Sequence, residues 1–280
     1  MTRRVTARTA RAVTMPANRM RITTMVDESL PTRGEASALE VVRVLALLDA
    51  SRHSLAALAA AVNLASSRHA ELVALYVEDL ELLTCAAFPF SCEIGAQSGV
   101  TRPLSTESLE ASIAHQLQRV HQALDAAVAG HDLRHRLEVS RGMVATEALA
   151  KAGPGDVLVL GKAGTTERWG TRLGSTSRRM LLEATCTVLV WDEHHPFQRG
   201  PLRLLTQRQA PIDTRAVPDW LAGLFDGIAA LPIRHARELE QRLAHAKTGG
   251  LLLHRPELAQ LLEEDPELLN RVPLPIVVVE

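Results

Sequence analysis

Residues 156–191 read DVLVLGKAGTTERWGTRLGSTSRRMLLEATCTVLVW. After Asp156 the run VLVL is unbroken by polar residues, as a strand buried on both faces of a sheet requires. A second run of that kind, TVLVW, closes the stretch, and the residues between 175 and 184 predict a helix. Strand, loop, helix, strand at this length is one crossover unit of a parallel sheet. The loop is neither GxxxxGK[ST] nor GxGxxG, yet it carries Gly161, Gly164 and Gly174. The helix beginning near Ser175 has free N–H groups and a dipole that favour an anion at its start. Gly174 removes a side chain just before that helix, and Ser175, Thr176 and Ser177 add hydroxyl donors. Gly161 and Gly164 would let the chain turn sharply and pass close to a sugar or phosphate. Glycine-rich turns are also common punctuation, so these residues alone balance a phosphate cradle against an ordinary loop.

Outward from this unit the same rhythm recurs. VVRVLALLD (41–49) and ELVALYVED (71–79) read as further buried strands, separated by a helix that places Leu55, Leu58, Ala59 and Val62 at helical spacing. Residues 80–104 form an oddly apolar loop, with Phe88 and Phe90, that is long for an ordinary connection. From Thr106 a long helix repeats Leu109, Ile113, Leu117, Val120, Leu124 and Val128. LRHRLEV (133–139) alternates apolar and polar residues, which suits an edge strand, and a short helix over VATEALAKAG ends at Gly153. Strands alternating with helices predict an α/β fold with a parallel sheet and helices on both faces. In such sheets ligands sit at strand carboxyl ends, where Asp49 and Gly161 both fall.

The last 80 residues carry weaker signals: a strand in PLRLLT (201–206), a helix over PDWLAGLFDGIAAL (218–231), and a charged helix ending in glycines. A strand LLLH, a helix broken at Pro266 and a final strand LPIVVVE follow. GGLLLHR…LLNRVPLPIVVVE repeats the rhythm of GDVLVLG…LLEATCTVLVW, so an internal repeat with a decayed second copy is expected. The chain therefore divides into a tail (1–38), a first domain (39–193) and a smaller degenerate α/β repeat (200–280). The first 26 residues hold six arginines and no acid, and are set aside as a disordered tail or as sequence ahead of a later start.

Composition narrows the function. A formal net charge of -1 and 3% aromatic residues argue against nucleic acid. No apolar run reaches the ~18 residues of a membrane span. Three irregularly placed cysteines, Cys85, Cys92 and Cys186, point to a reducing cytoplasm. Neither they nor the adjacent His194 and His195 have metal-ligand spacing, so no metal site is expected. No Ser-His-Asp or paired-carboxylate arrangement emerges, so no catalytic residue is assigned. Lys162 and Arg172 are candidates to neutralise phosphate charge, against the plainer reading of solvated loop cations. Trp169 reads as a loop anchor in preference to a nucleotide cover. Asp49 is a candidate metal or nucleotide contact, against a plain role beside the following helix start.

The full spacing, Gly161-x2-Gly164-x9-Gly174-Ser175 between a buried strand and a helix, resembles the ATP-binding branch of the universal stress protein family. The resemblance spans about residues 41–192. It includes the aspartate ending the first strand (LLDASRHS) and the acidic ending of the second (LYVED). It implies an open parallel five-stranded sheet of order 3-2-1-4-5. It also implies ATP, with or without Mg, held by Asp49, Ala50 and the backbone near Val77 at the adenine end. Gly161 and Gly164 would run along ribose and phosphates, and Gly174, Ser175, Thr176 and Ser177 would hold the phosphates. The implied function is nucleotide binding in a stress or regulatory role in preference to turnover, with slow incidental ATP hydrolysis allowed, and an unidentified protein partner. Family members dimerise through the last strand, but a tandem chain can satisfy that edge internally, so monomer and homodimer both stay open. Two departures stand out: Leu47 replaces a proline, and Cys186-Thr187 replaces Cys-Pro. In the second copy, His254, Arg255 and Pro256 stand where glycines should be, so only the first copy is expected to bind nucleotide. The alternative is a nucleotide-independent protein-interaction module, disfavoured by the intact loop of the first copy. An ATP-dependent adenylating enzyme comes after it, because no Ser/Gly-rich loop follows the first strand.

Overall fold

The computed structural model describes residues 41–95, 98–162, 173–191, 198–206 and 217–280. Its elements are β1 (Arg43–Leu48), α1 (Arg52–Arg68), β2 (Glu71–Asp79), α2 (Leu80–Ala86), β3 (Cys92–Ile94), β4 (Thr101–Pro103) and α3 (Thr106–Val128). Next come β5 (His135–Gly142), α4 (Val144–Lys151), β6 (Asp156–Gly161), α5 (Ser175–Glu183) and β7 (Thr187–Trp191). The later part contains β8 (Leu202–Thr206), α6 (Asp219–Ala222), β9 (Ile228–Pro232), α7 (Ala236–Leu243), β10 (Gly250–His254), α8 (Arg255–Glu264), α9 (Leu268–Arg271) and β11 (Ile276–Val279).

The strands form one nine-stranded sheet, β5-β2-β1-β6-β7-β11-β10-β8-β9, and a separate β3-β4 hairpin. Every pairing in the large sheet is parallel except β7 with β11, which is antiparallel. The expectation of a sheet ending after five strands is therefore corrected. An exposed edge on β7 would present unpaired N–H and C=O groups, and β11 of the second half covers it, with Val188, Leu189 and Val190 opposite Val278, Val277 and Ile276. The described residues from 41 onward accordingly form a single compact unit.

Alternation along each strand builds two cores. Val44, Ala46 and Leu48 of β1, Val157 and Val159 of β6 and Leu189 of β7 face α1 and α3; Leu252 of β10 and Val277 of β11 join the same core. Leu45, Leu158, Leu160, Val188, Val190, Leu251, Leu253, Ile276 and Val278 face the opposite side, with Met180 of α5, Leu239 of α7 and Leu258 of α8. The side-chain period of two lets one buried strand feed both cores.

Two local expectations also change. The helix expected over residues 218–231 shrinks to Asp219–Ala222, and Ile228–Pro232 is a strand paired with β8. Gly227, at φ 135°, makes the turn between them, a conformation only glycine adopts easily. The expected loop 80–104 contains α2 and the β3-β4 hairpin. Asp79 caps α2 by accepting from the N–H groups of Glu81 and Leu82.

Where α6 covers the sheet in place of a full helix, an apolar recess of about 490 Å³ remains, walled by Leu64, Leu189, Trp191, Trp220 and Phe225.

Candidate functional site

β1 lies between β2 and β6, so the carboxyl ends of all three meet at one edge. Leu48 pairs with Tyr76, which places Asp49 beside Val77 just beyond the paired run, and Gly161 ends the strand on the other side of β1. The sheet thus brings Asp49, Ala50, Val77 and Gly161 to the same rim. Val77 is buried with Leu45 and Leu75, so its backbone, not its side chain, is what the rim offers.

Asp49 is exposed and organises the turn into α1. Its Oδ1 accepts the N–H of Ser51 at 2.9 Å, and its own N–H donates to Ser54 Oγ at 3.3 Å. Ser51 then caps α1, its hydroxyl accepting from the Ser54 N–H. Desolvation in this concave turn pushes the Asp49 carboxyl up. Hydrogen bonds from the Ser51 and Ser54 side chains and from backbone N–H groups outweigh it and hold the carboxyl below its ordinary value. Ala50 adopts a left-handed φ of 60°, costing about 1–2 kcal/mol for a residue with a Cβ.

The two described glycines of the motif have different surroundings. A Cβ on Gly161 would lie 2.6 Å from the His53 carbonyl carbon and oxygen and 2.8 Å from the Ser54 nitrogen. Gly161 is therefore demanded by the close packing of β6 against the start of α1. A Cβ on Gly174 would meet nothing within 4 Å, and its φ of -64° is open to any residue. Among the described residues no packing calls for glycine there. Gly164, Trp169 and Arg172 lie outside the described residues, as do His194 and His195.

Gly174 is the N-cap of α5 and supplies no side-chain cap. Ser175 and Thr176, in the first turn, line a cleft of about 170 Å³ with Asp79, Glu81, Met143, Val144, Ala145 and Arg179. Ser177 follows in the same turn, half-buried. Asp49 and Val77 are not among the cleft's walls. Met143 is the N-cap of α4 and likewise makes no side-chain cap bond. Two helix starts without side-chain caps therefore open on one cleft, and their N–H groups and dipoles favour an anion there. The helix α4 was expected, but its start was not assigned to the site. Its signal is legible in Gly142-Met143, where none of the usual capping residues precedes the helix.

Lys162 corrects another expectation. Only 1% exposed, its side chain runs inward and Nζ donates to the Val272 carbonyl at 2.9 Å, away from any phosphate on the rim. Arg179 is the cation that lines the cleft, held by Glu183 and by Thr146 Oγ1. Among the described residues no group of three or more His, Cys, Asp or Glu could hold a metal ion, and no helix is long and apolar enough to cross a membrane.

In the second half, Arg255 opens α8 directly after β10. Its guanidinium donates to the carbonyls of Leu181 (3.0 Å) and Cys186 (2.9 Å), closing the C-terminal end of α5. Burial pushes its pKa down, with the Cys186 and Glu280 charges opposing. The Cys186 thiol beside it is pushed up to about 11, chiefly by burial.

A family model described as the universal stress protein family matches residues 41–191. Among solved structures, universal stress protein UspA from Lactobacillus plantarum is 27% identical over 54% of this chain and 97% of its own, with a TM-score of 0.41. A universal stress protein from Archaeoglobus fulgidus DSM 4304 is 13% identical over 85% of this chain and 98% of its own, at a TM-score of 0.53. A putative universal stress protein from Pseudomonas aeruginosa UCBPP-PA14 aligns with 86% of this chain and 94% of its own at 10% identity and a TM-score of 0.51. The last two share the fold well beyond the matched domain. No curated protein matches the sequence.

Proposed function

Because the chain belongs to the universal stress protein family, we propose that it binds an adenine nucleotide, ATP, at the carboxyl edge of β1, β2 and β6 in a regulatory role, without turnover. The adenine end lies against Asp49, Ala50 and the Val77 backbone, and the phosphates against Gly174, Ser175, Thr176 and Ser177. The observation that carries this reading is Gly174: a glycine at a helix start without a side-chain cap, with no described residue within 4 Å of where its Cβ would be. A ligand that approaches the backbone supplies the missing reason for a glycine. The α4 start across the cleft adds a second set of N–H groups for phosphate oxygens. Glu81 and Asp79 on the same cleft suit a nucleotide carrying Mg, which takes oxygen ligands and offsets phosphate charge. Gly161 serves this site indirectly, by seating α1 and its Asp49 turn against β6.

The second half is read as a packing partner that seals the β7 edge, a degenerate repeat without a nucleotide site of its own, in a chain working in the cytoplasm. A second reading, a module that works through a protein partner, is favoured by the apolar segment after β2. Phe90 there is 91% exposed, and Phe88, Ile94 and Val100 are exposed around it.

Calorimetric titration with ATP tests the first reading. The wild type should bind, and Gly174→Val should lose binding while its circular dichroism spectrum stays unchanged, since no described residue stands within 4 Å of the new Cβ. Equal affinity in the variant would remove the proposed phosphate site.

A further inference from the structure

Residues 163–172 are bracketed by two contacts to one short segment of the second half. Before them, the buried Lys162 reaches across to the Val272 carbonyl at 2.9 Å. After them, the Leu173 N–H donates to Asn270 Oδ1. The two acceptors are two positions apart, at the end of α9 and just beyond it. Asn270 is braced in turn, its Nδ2 donating to Glu267. Leu268, Leu269 and Val272 anchor this segment in the core shared with α5. The helix that follows the bracketed residues is tied to the second half as well, through Arg255 on the Leu181 and Cys186 carbonyls.

We propose that residues 270–272 are a positioning element for the phosphate end of the nucleotide site: they hold Leu173, next to Gly174, and Lys162, next to Gly161, so that Gly174 to Ser177 face an incoming phosphate in a fixed geometry. This rests on the nucleotide reading given above. Holding both ends removes conformational freedom before the ligand arrives, which is the physical content of preorganisation. It also makes the coupling reciprocal, because nucleotide that steadies Leu173 and Gly174 must steady α9 to the same degree. The second half, without a nucleotide site of its own, then takes part in nucleotide binding from behind the loop.

The test uses the full chain. Asn270 is half-buried, so Asn270→Ala should fold, and a urea midpoint checks it. In nucleotide-free protein, hydrogen exchange across 163–174 should accelerate in Asn270→Ala while β6 and β7 amides keep their protection. ATP affinity should fall roughly fivefold, the effect of one lost hydrogen bond. Lys162→Met, which frees the other end, should accelerate exchange in the same residues. Unchanged exchange in both variants overturns the proposal, and so does faster exchange with ATP affinity unchanged. A wild-type chain that binds no ATP refutes the nucleotide reading instead. The exchange data then still decide whether 270–272 hold the loop.

Discussion

A Cβ added to Gly161 would sit 2.6 Å from the backbone of His53, which cannot move without dragging the start of α1. Gly161→Ala should therefore cost about 1–3 kcal/mol, the range for forcing extra atoms into a packed site. The measurement is the urea midpoint, which falls at unchanged slope if the fold is retained. An unaltered midpoint would mean that β6 and α1 separate freely, contrary to the packing. Gly161 and Gly174 are equivalent as letters in a spaced motif, and the same substitution at the two should produce opposite outcomes. At Gly161 stability falls; at Gly174 stability holds and ligand binding suffers.

The β1–α1 junction is a turn built on one carboxylate. Asp49 accepts from Ser51, Ser51 caps α1, and Ser54 bonds back to both. Because these bonds hold the Asp49 carboxyl below its ordinary value, its charge stabilises the folded state at pH above the unfolded value, ~3.9. That contribution is lost as pH falls through the lower folded value. Asn at position 49 keeps the acceptor oxygen but not the charge. Wild type should thus exceed Asp49→Asn in urea midpoint at pH 7, and the gap should close in acid. A gap that does not change with pH would show that the charge contributes nothing.

At the scale of the molecule, the antiparallel β7–β11 ladder makes two unequal halves share one sheet. Cutting the chain after Trp191 would bare the β7 edge and the apolar residues of α5 and β7 that the second half covers. Residues 41–191 expressed alone should dimerise or aggregate, as read by size-exclusion chromatography with light scattering. A stable monomer at high concentration would show that the edge needs no cover. The full chain, with that edge filled internally, has less reason to dimerise through it.

The strands β1, β2, β6, β7 and β11 are legible as apolar runs because burial on both faces leaves no room for polar residues. α3 is legible in its three-four spacing, and the start of α5 in Gly174-Ser175-Thr176-Ser177. β9 escaped because Trp220, Leu221, Leu224 and Phe225 extend an apolar pattern that helix and turn both satisfy. What chain order and periodicity determined was the α/β class, the crossover unit at 156–191 and the family spacing, since these depend on neighbours along the chain. Four things depend on what stands opposite in space: the seat of Gly161 on α1, the inward turn of Lys162, the closure of α5 by Arg255 and the joining of two halves into nine strands. Each brings together groups many residues apart, so only the tertiary structure decided them.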